Sequence, residues 1–261
     1  MIAPVRTVTP QAPVRTELRV ALDLARDLPQ LTDPMRAEYH ASAALTEAAV
    51  SVSSTAWVEE LPPGTLVKPD RRRKPGLTDP RAMRFDGSTE HELWTGLADA
   101  IVAAPTRRGL ALLCAMAVVL PDGTIAGTAR QRAAQLAGGG LPRPAWADAL
   151  AGLEPDECWL GSQGPGYPLA VISHRYGSRR HAVVILIDDD MGGVAKNAFQ
   201  TEDVDRTLAE IGSLRPADPA RVHKMIRDAY EAVYAYRDLP VDPDVHRLRL
   251  VAYRRTARFA K

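Results

Sequence analysis

Cysteine is almost absent from this chain. The two present, Cys114 and Cys158, are too few for a disulfide framework or a zinc ribbon. Each sits in an apolar stretch and reads as a small buried hydrophobe. Neither sign of charge is in excess: the net charge is +1 over 261 residues, so no global field draws the chain to nucleic acid or membrane. Lysine is scarce, with 5 against 28 arginines. With abundant alanine and proline, that bias fits a GC-rich bacterial genome. Long apolar runs are missing too. The longest, Leu110–Leu120, is too short to span a bilayer, and the first seventeen residues lack the apolar centre of a signal peptide. A bacterial cytosolic protein with no membrane partner is expected. Also missing are a phosphate loop, a dinucleotide fingerprint, a nucleophile elbow and a His-Glu-x-x-His helix, and no cofactor is evident.

What is present is an ordinary globular composition, 46% hydrophobic and 25% charged. The most organised stretch runs from Pro168 to Phe199. Leu169–Tyr176 reads as a strand, Gly177-Ser178 as a two-residue hairpin loop, and His181–Ile187 as a central strand apolar on both alternations. Asp188-Asp189-Asp190 stops that strand, Met191-Gly192-Gly193 turns the chain, and Val194–Gln200 returns. This register sets Tyr176 opposite Arg179, His174 opposite His181 and Val171 opposite Val184. The aspartates then lie seven residues from the histidine pair, roughly 23 Å at strand rise, so the two groups cannot share one metal.

Around this meander the periodicity is helical. The expected order is a mobile arm over 1–13, then an amphipathic helix over Val14–Leu28. A second helix is capped by Asp33 and ends near Val52. A helix boxed by Thr89 and Glu92 follows, then a buried helix over Leu110–Leu120 capped by Thr106, and a helix over Thr124–Leu136. Between them, 55–87 reads as a long exposed loop rich in proline and arginine. Glu157–Ser162 reads as the first strand. Asp203–Ile211 and the stretch opened by Asp218-Pro219 read as helices; Val245–Lys261 fits either a strand, by the alternation of Leu248, Leu250 and Ala252, or a helix capped by Asp244, which is the reading preferred. The fold class is therefore α+β: a helical region over 14–153 packed with an antiparallel meander and C-terminal helices over 154–261. Val183, Ile185, Leu186, Ile187, Leu112 and Met116 are the expected core, and Trp57, Trp94, Trp146 and Trp159 are its aromatic anchors.

Three constellations carry candidate chemistry. Arg71, Arg72, Arg73 and Lys74 in the loop, with Arg254 and Arg255 in an arginine-rich tail, form basic patches suited to an acidic protein or to nucleic-acid phosphates. The bland alternatives are a solvated linker and a docked helix with a wet basic face. Asp188 and Asp190 share a strand face and could hold Mg²⁺ for a hydrolase or nuclease, with Lys196 and Asn197 nearby on the return strand. The competing reading makes them strand-ending residues that bond nearby amides. Leu110–Leu120 and Thr124–Leu136 resemble a helix-turn-helix presenting Arg130, Gln131, Arg132 and Gln135, or more simply an αα-hairpin. The reading favoured by the sequence is a non-catalytic binding or regulatory protein. A divalent-metal hydrolase is the first alternative, and a nucleic-acid-binding protein is the second.

Overall fold

A computed structural model describes residues 12–60, 87–235 and 239–257. The first part of the chain is helical: α1 (Ala12–Leu24), a 3-10 turn (Leu28–Gln30), α2 (Pro34–Glu60), α3 (Gly87–Ala103), α4 (Arg107–Val119), α5 (Gly123–Gly138) and α6 (Ala147–Ala151). Asp33 caps α2 by accepting from Met35 N at 2.8 Å, and Pro34 fills the first helical position. The helix runs to Glu60, past the end expected near Val52, so residues 55–60 of the expected loop over 55–87 are helical, and 61–86 lie outside the described residues. The reason is local. Ser and Thr cost a helix only tenths of a kcal/mol, and the first true breakers are Pro62 and Pro63. Similarly, α1 begins at Ala12, which takes two residues from the expected arm, and it ends at Leu24, ahead of Pro29. The rest of the arm, the run Arg71–Lys74, the Trp57 side chain and the final residues through Lys261 lie outside the described residues and side chains.

Helix α4 is the axis of the front half. Leu110, Leu112, Leu113, Met116 and Val119 are all fully buried, so every face of this helix has a neighbour. Thr106 caps it, accepting from Gly109 N at 3.0 Å as its position predicts. Gly109 is required by packing: a Cβ there would come within 2.6 Å of Ile101 Cγ2 on α3. Trp146 is completely enclosed, and its Nε1 donates to Leu28 O at 2.8 Å, fastening the connection before α6 onto the 3-10 turn.

The second part carries β1 (Leu153–Ser162), β2 (Pro168–Tyr176), β3 (Arg179–Asp188) and β4 (Val194–Thr201). These are followed by α7 (Val204–Ile211), β5 (Arg215–Pro216), α8 (Pro219–Ala235), α9 (Pro243–Arg247) and α10 (Arg249–Thr256). The strands form one antiparallel sheet in the order β4-β3-β2-β1-β5. The hairpin register is the one its turn predicts, with Tyr176 opposite Arg179, His174 opposite His181 and Val171 opposite Val184. Gly177 takes a φ of +60°, the left-handed value such a loop needs. Two-residue β5 left no trace in the hydrophobic pattern, and β1 starts earlier than Glu157 because a bulge between Pro155 and Cys158 interrupts its alternation.

Both faces of β3 are covered, as its unbroken apolar run implies. Val183, Ile185 and Ile187 pack with Val222, Ile226 and Val251 of the C-terminal helices, while Val184 packs with Trp159, Val171 and Val204 on the other side. Leu186 departs from the expected core. It is only half-buried, because the eight-residue α7 covers its face incompletely. The tail is helical but broken in two at Leu248. Its cap is Asp242, which accepts from Asp244 N at 2.8 Å, and not Asp244; Pro243 takes the first helical position and moves the boundary two residues back. Ser42 of α2 ties this tail to the front half, donating to Arg247 O at 2.6 Å and accepting from Leu250 N at 3.2 Å. Among the described residues no helix is long and apolar enough to cross a membrane.

Ile185 lies wholly inside this two-sided core. Truncating it to alanine is expected to cost about 2–5 kcal/mol in urea unfolding; a loss below about half a kilocalorie would place β3 outside the stabilising core.

Candidate functional site

The aspartate cluster is a turn. Asp188 is 2% exposed, and both its oxygens are engaged. Oδ2 accepts from Lys196 Nζ at 2.6 Å, and Oδ1 accepts from Met191 N at 3.1 Å. The Lys196 hydrogen bond keeps the Asp188 carboxyl below the ordinary aspartate range. Lys196 also stands 4.9 Å over the Tyr167 ring. Because β3 ends at Asp188, the strand alternation that would aim Asp190 beside it ends as well, and Asp189 and Asp190 are exposed. Asn197 turns to Asp242 at 3.4 Å instead. Among the described residues no three His, Cys, Asp or Glu side chains form a group able to hold a metal.

The basic tail has turned inward. Arg254 and Arg255 were expected at the surface as a basic patch; Arg255 is instead wholly enclosed and Arg254 nearly so, because both guanidinium groups converge on the buried carboxylate of Glu38. Arg254 Nη1 reaches Glu38 Oε1 at 2.7 Å and Tyr176 Oη at 2.8 Å, and its Nη2 donates to Leu150 O at 2.5 Å. Arg255 Nη2 donates to Glu38 Oε2 at 2.6 Å. Burial alone would raise the Glu38 pKa, but the two cations outweigh it and hold it at about 2. The facing histidines complete this cluster. His181 stacks on Tyr176 with ring centroids 5.1 Å apart, and His174 lies 6.5 Å from His181. Burial, with Arg255 adding to it, depresses His174 to about 2 and His181 to about 3, so both are neutral. Sequence reasoning missed Glu38. Its signal was a polar stripe, Glu38, Ser42 and Thr46, at four-residue spacing within an alanine-rich helix, and all three residues are buried.

A second pairing was also invisible in the sequence: Cys158 Sγ lies 3.7 Å from His223 Nε2. It is no activated nucleophile. Burial pushes the thiol up to about 11 and lowers His223, so both stay uncharged near neutral pH.

The helix-turn-helix candidate is an αα-hairpin inside the front half. Arg130 Nη2 donates to Ala117 O at 3.1 Å, and Arg132 pairs with Asp99 at 3.0 Å. Both guanidinium groups are thus engaged within the fold.

Several arginines without an ion pair among the described residues gather at the start of α4. Two clefts meet there and share Arg107 and Arg108. One, of about 590 Å³, is lined by Leu18, Arg19, Leu22 and Asp23 of α1. The other, of about 450 Å³, is lined by Arg26, Pro29 and Gln30 after α1 and by Pro142, Arg143 and Pro144 before α6. Of these five arginines only Arg143 has an ion pair among the described residues, to Asp148 at 2.8 Å. Asp23 is the one carboxylate among the described residues that line either cleft. Two arginines in the first turn of α4 oppose the helix dipole, with no acidic residue in that turn to compensate. No acidic residue or helical spacing marked Arg107 and Arg108 in the sequence; only their convergence with α1 and the 142–144 segment distinguishes them. No protein-family model matches this chain, and neither a curated protein nor a solved structure matches it.

Proposed function

We propose that this protein is a non-catalytic binding protein for a small ligand bearing phosphate or a similar polyanionic group, held by Arg26, Arg107 and Arg108. The observation that carries this reading is the placement of arginines from separate segments, Arg26, Arg107 and Arg108 without an ion pair among the described residues, around clefts of ordinary small-ligand size, in a chain whose net charge is only +1. Positive charge in the first turn of α4 works against the helix, and such local conflicts are expected where function outweighs stability. Arginine suits the role because its planar fork pairs with two oxygens of a phosphate at once. A hydrolase built on Asp188 has less support, since Lys196 and the turn amide occupy its carboxylate. A nucleic-acid-binding role for the tail is likewise weakened by the inward turn of Arg254 and Arg255.

Calorimetric titration with inorganic pyrophosphate is expected to give saturable binding that weakens as salt rises. Arg107→Glu and Arg108→Glu should each reduce affinity about tenfold or more, the value of one charge-assisted contact. Binding that is unchanged in both variants would remove the cleft from the account.

A further inference from the structure

The two clefts differ in character although they share Arg107 and Arg108. The 450 Å³ cleft is bounded by arginine, proline and Gln30, with no large aliphatic side chain among the described residues of its lining. The 590 Å³ cleft has Leu18 and Leu22, one helical turn apart on the same face of α1, opposite the start of α4. Both leucines are only partly covered, although they pack against the front-half core. An anionic group alone would use the arginines and leave this aliphatic wall wet.

Resting on the anion-binding reading above, we infer that the ligand is a soluble anionic amphiphile: a phosphate monoester whose aliphatic body lies against Leu18 and Leu22 while its head group meets Arg107, Arg108 and Arg26. Charge complementarity fixes the orientation. Among the described residues three arginines and one carboxylate, Asp23, line the aliphatic cleft, and the second cleft shares Arg107 and Arg108 with it and adds Arg26, so the head points toward Arg26. The clefts are open, but their volumes lie in the small-molecule range, which favours a monomeric ligand over a bilayer surface.

The experiment is a titration of the full chain with n-alkyl phosphates of two to eight carbons, kept below their micellar concentrations, beside inorganic pyrophosphate and vesicles containing phosphatidic acid. Affinity is expected to rise about three- to fourfold for each added methylene until the cleft is filled. Leu22→Ser and Leu18→Ser, substitutions on a partly exposed helix face, should flatten that dependence while leaving pyrophosphate affinity within about twofold. If pyrophosphate binds but chain length adds nothing, the amphiphile inference fails and the anion-binding reading stands. If neither probe binds, both fail. Binding to vesicles without binding to monomeric alkyl phosphates would overturn the inference in favour of a membrane surface.

Discussion

Replacing Glu38 with alanine is expected to lower stability by about 3–5 kcal/mol, a large share of what holds a domain of this kind together. The cost comes from what remains. Arg255 is wholly enclosed and Arg254 nearly so, and both rely on that one carboxylate, at 2.6 and 2.7 Å. Without it, two cations stay in a medium that does not solvate them. The urea midpoint of Glu38→Ala against the native chain measures the effect. Glu38→Met combined with Arg255→Met should recover part of the loss, because it removes the wholly enclosed cation together with the carboxylate, while Arg254 keeps only its bonds to Tyr176 and Leu150. A loss below about 1 kcal/mol in the single variant would mean that the cluster is far wetter than its enclosure implies.

Acid should destabilise the protein well above the carboxylate range. His174 and His181 are held neutral, at about 2 and about 3, whereas an unfolded chain titrates them near 6.5. Above pH 6.5 neither state binds the protons, so the pair adds no pH dependence. Below it the unfolded chain takes up two protons that the native fold refuses, and stability falls by about 1.4 kcal/mol per pH unit for each imidazole. The drop reaches about 5 kcal/mol by pH 4.5. His223 and His246, also lowered by burial, act in the same direction. Glu38 then adds its own loss: its carboxylate is stabilising above the unfolded value of 4.5, and that contribution disappears as pH falls toward about 2. Urea unfolding at half-unit steps from pH 7.5 to 4.5 tests this. The double variant His174→Gln, His181→Gln should show a clearly shallower slope, and a flat native profile over this range would contradict the buried, neutral pair.

The hairpin register, the capped helix α4 and the doubly covered β3 were readable in advance because each depends on residues close in sequence. A glycine at the first loop position fixes which residues face each other, Thr106 and Gly109 are three apart, and an apolar run signals its own burial. The aspartate turn was readable in part. The sequence raised both the metal site and the turn, and the choice came from Lys196, eight residues away and delivered by the return of β4.

The sequence by itself determined the α+β class, the meander and its pairing, since turn chemistry and hydrophobic period act locally. Only the tertiary structure decided which charges are spent. Arg254 and Arg255 look like any surface arginines along the chain, and their partner Glu38 stands 216 and 217 residues away. Arg107 and Arg108 look the same, yet the packing of α1 and the 142–144 segment brings Arg26 and Arg143 into the same clefts, where Asp23 is the only carboxylate among the described lining residues. A charge is silent about its partner until the chain closes, because Coulomb pairing depends on distance through space and has no period along the sequence.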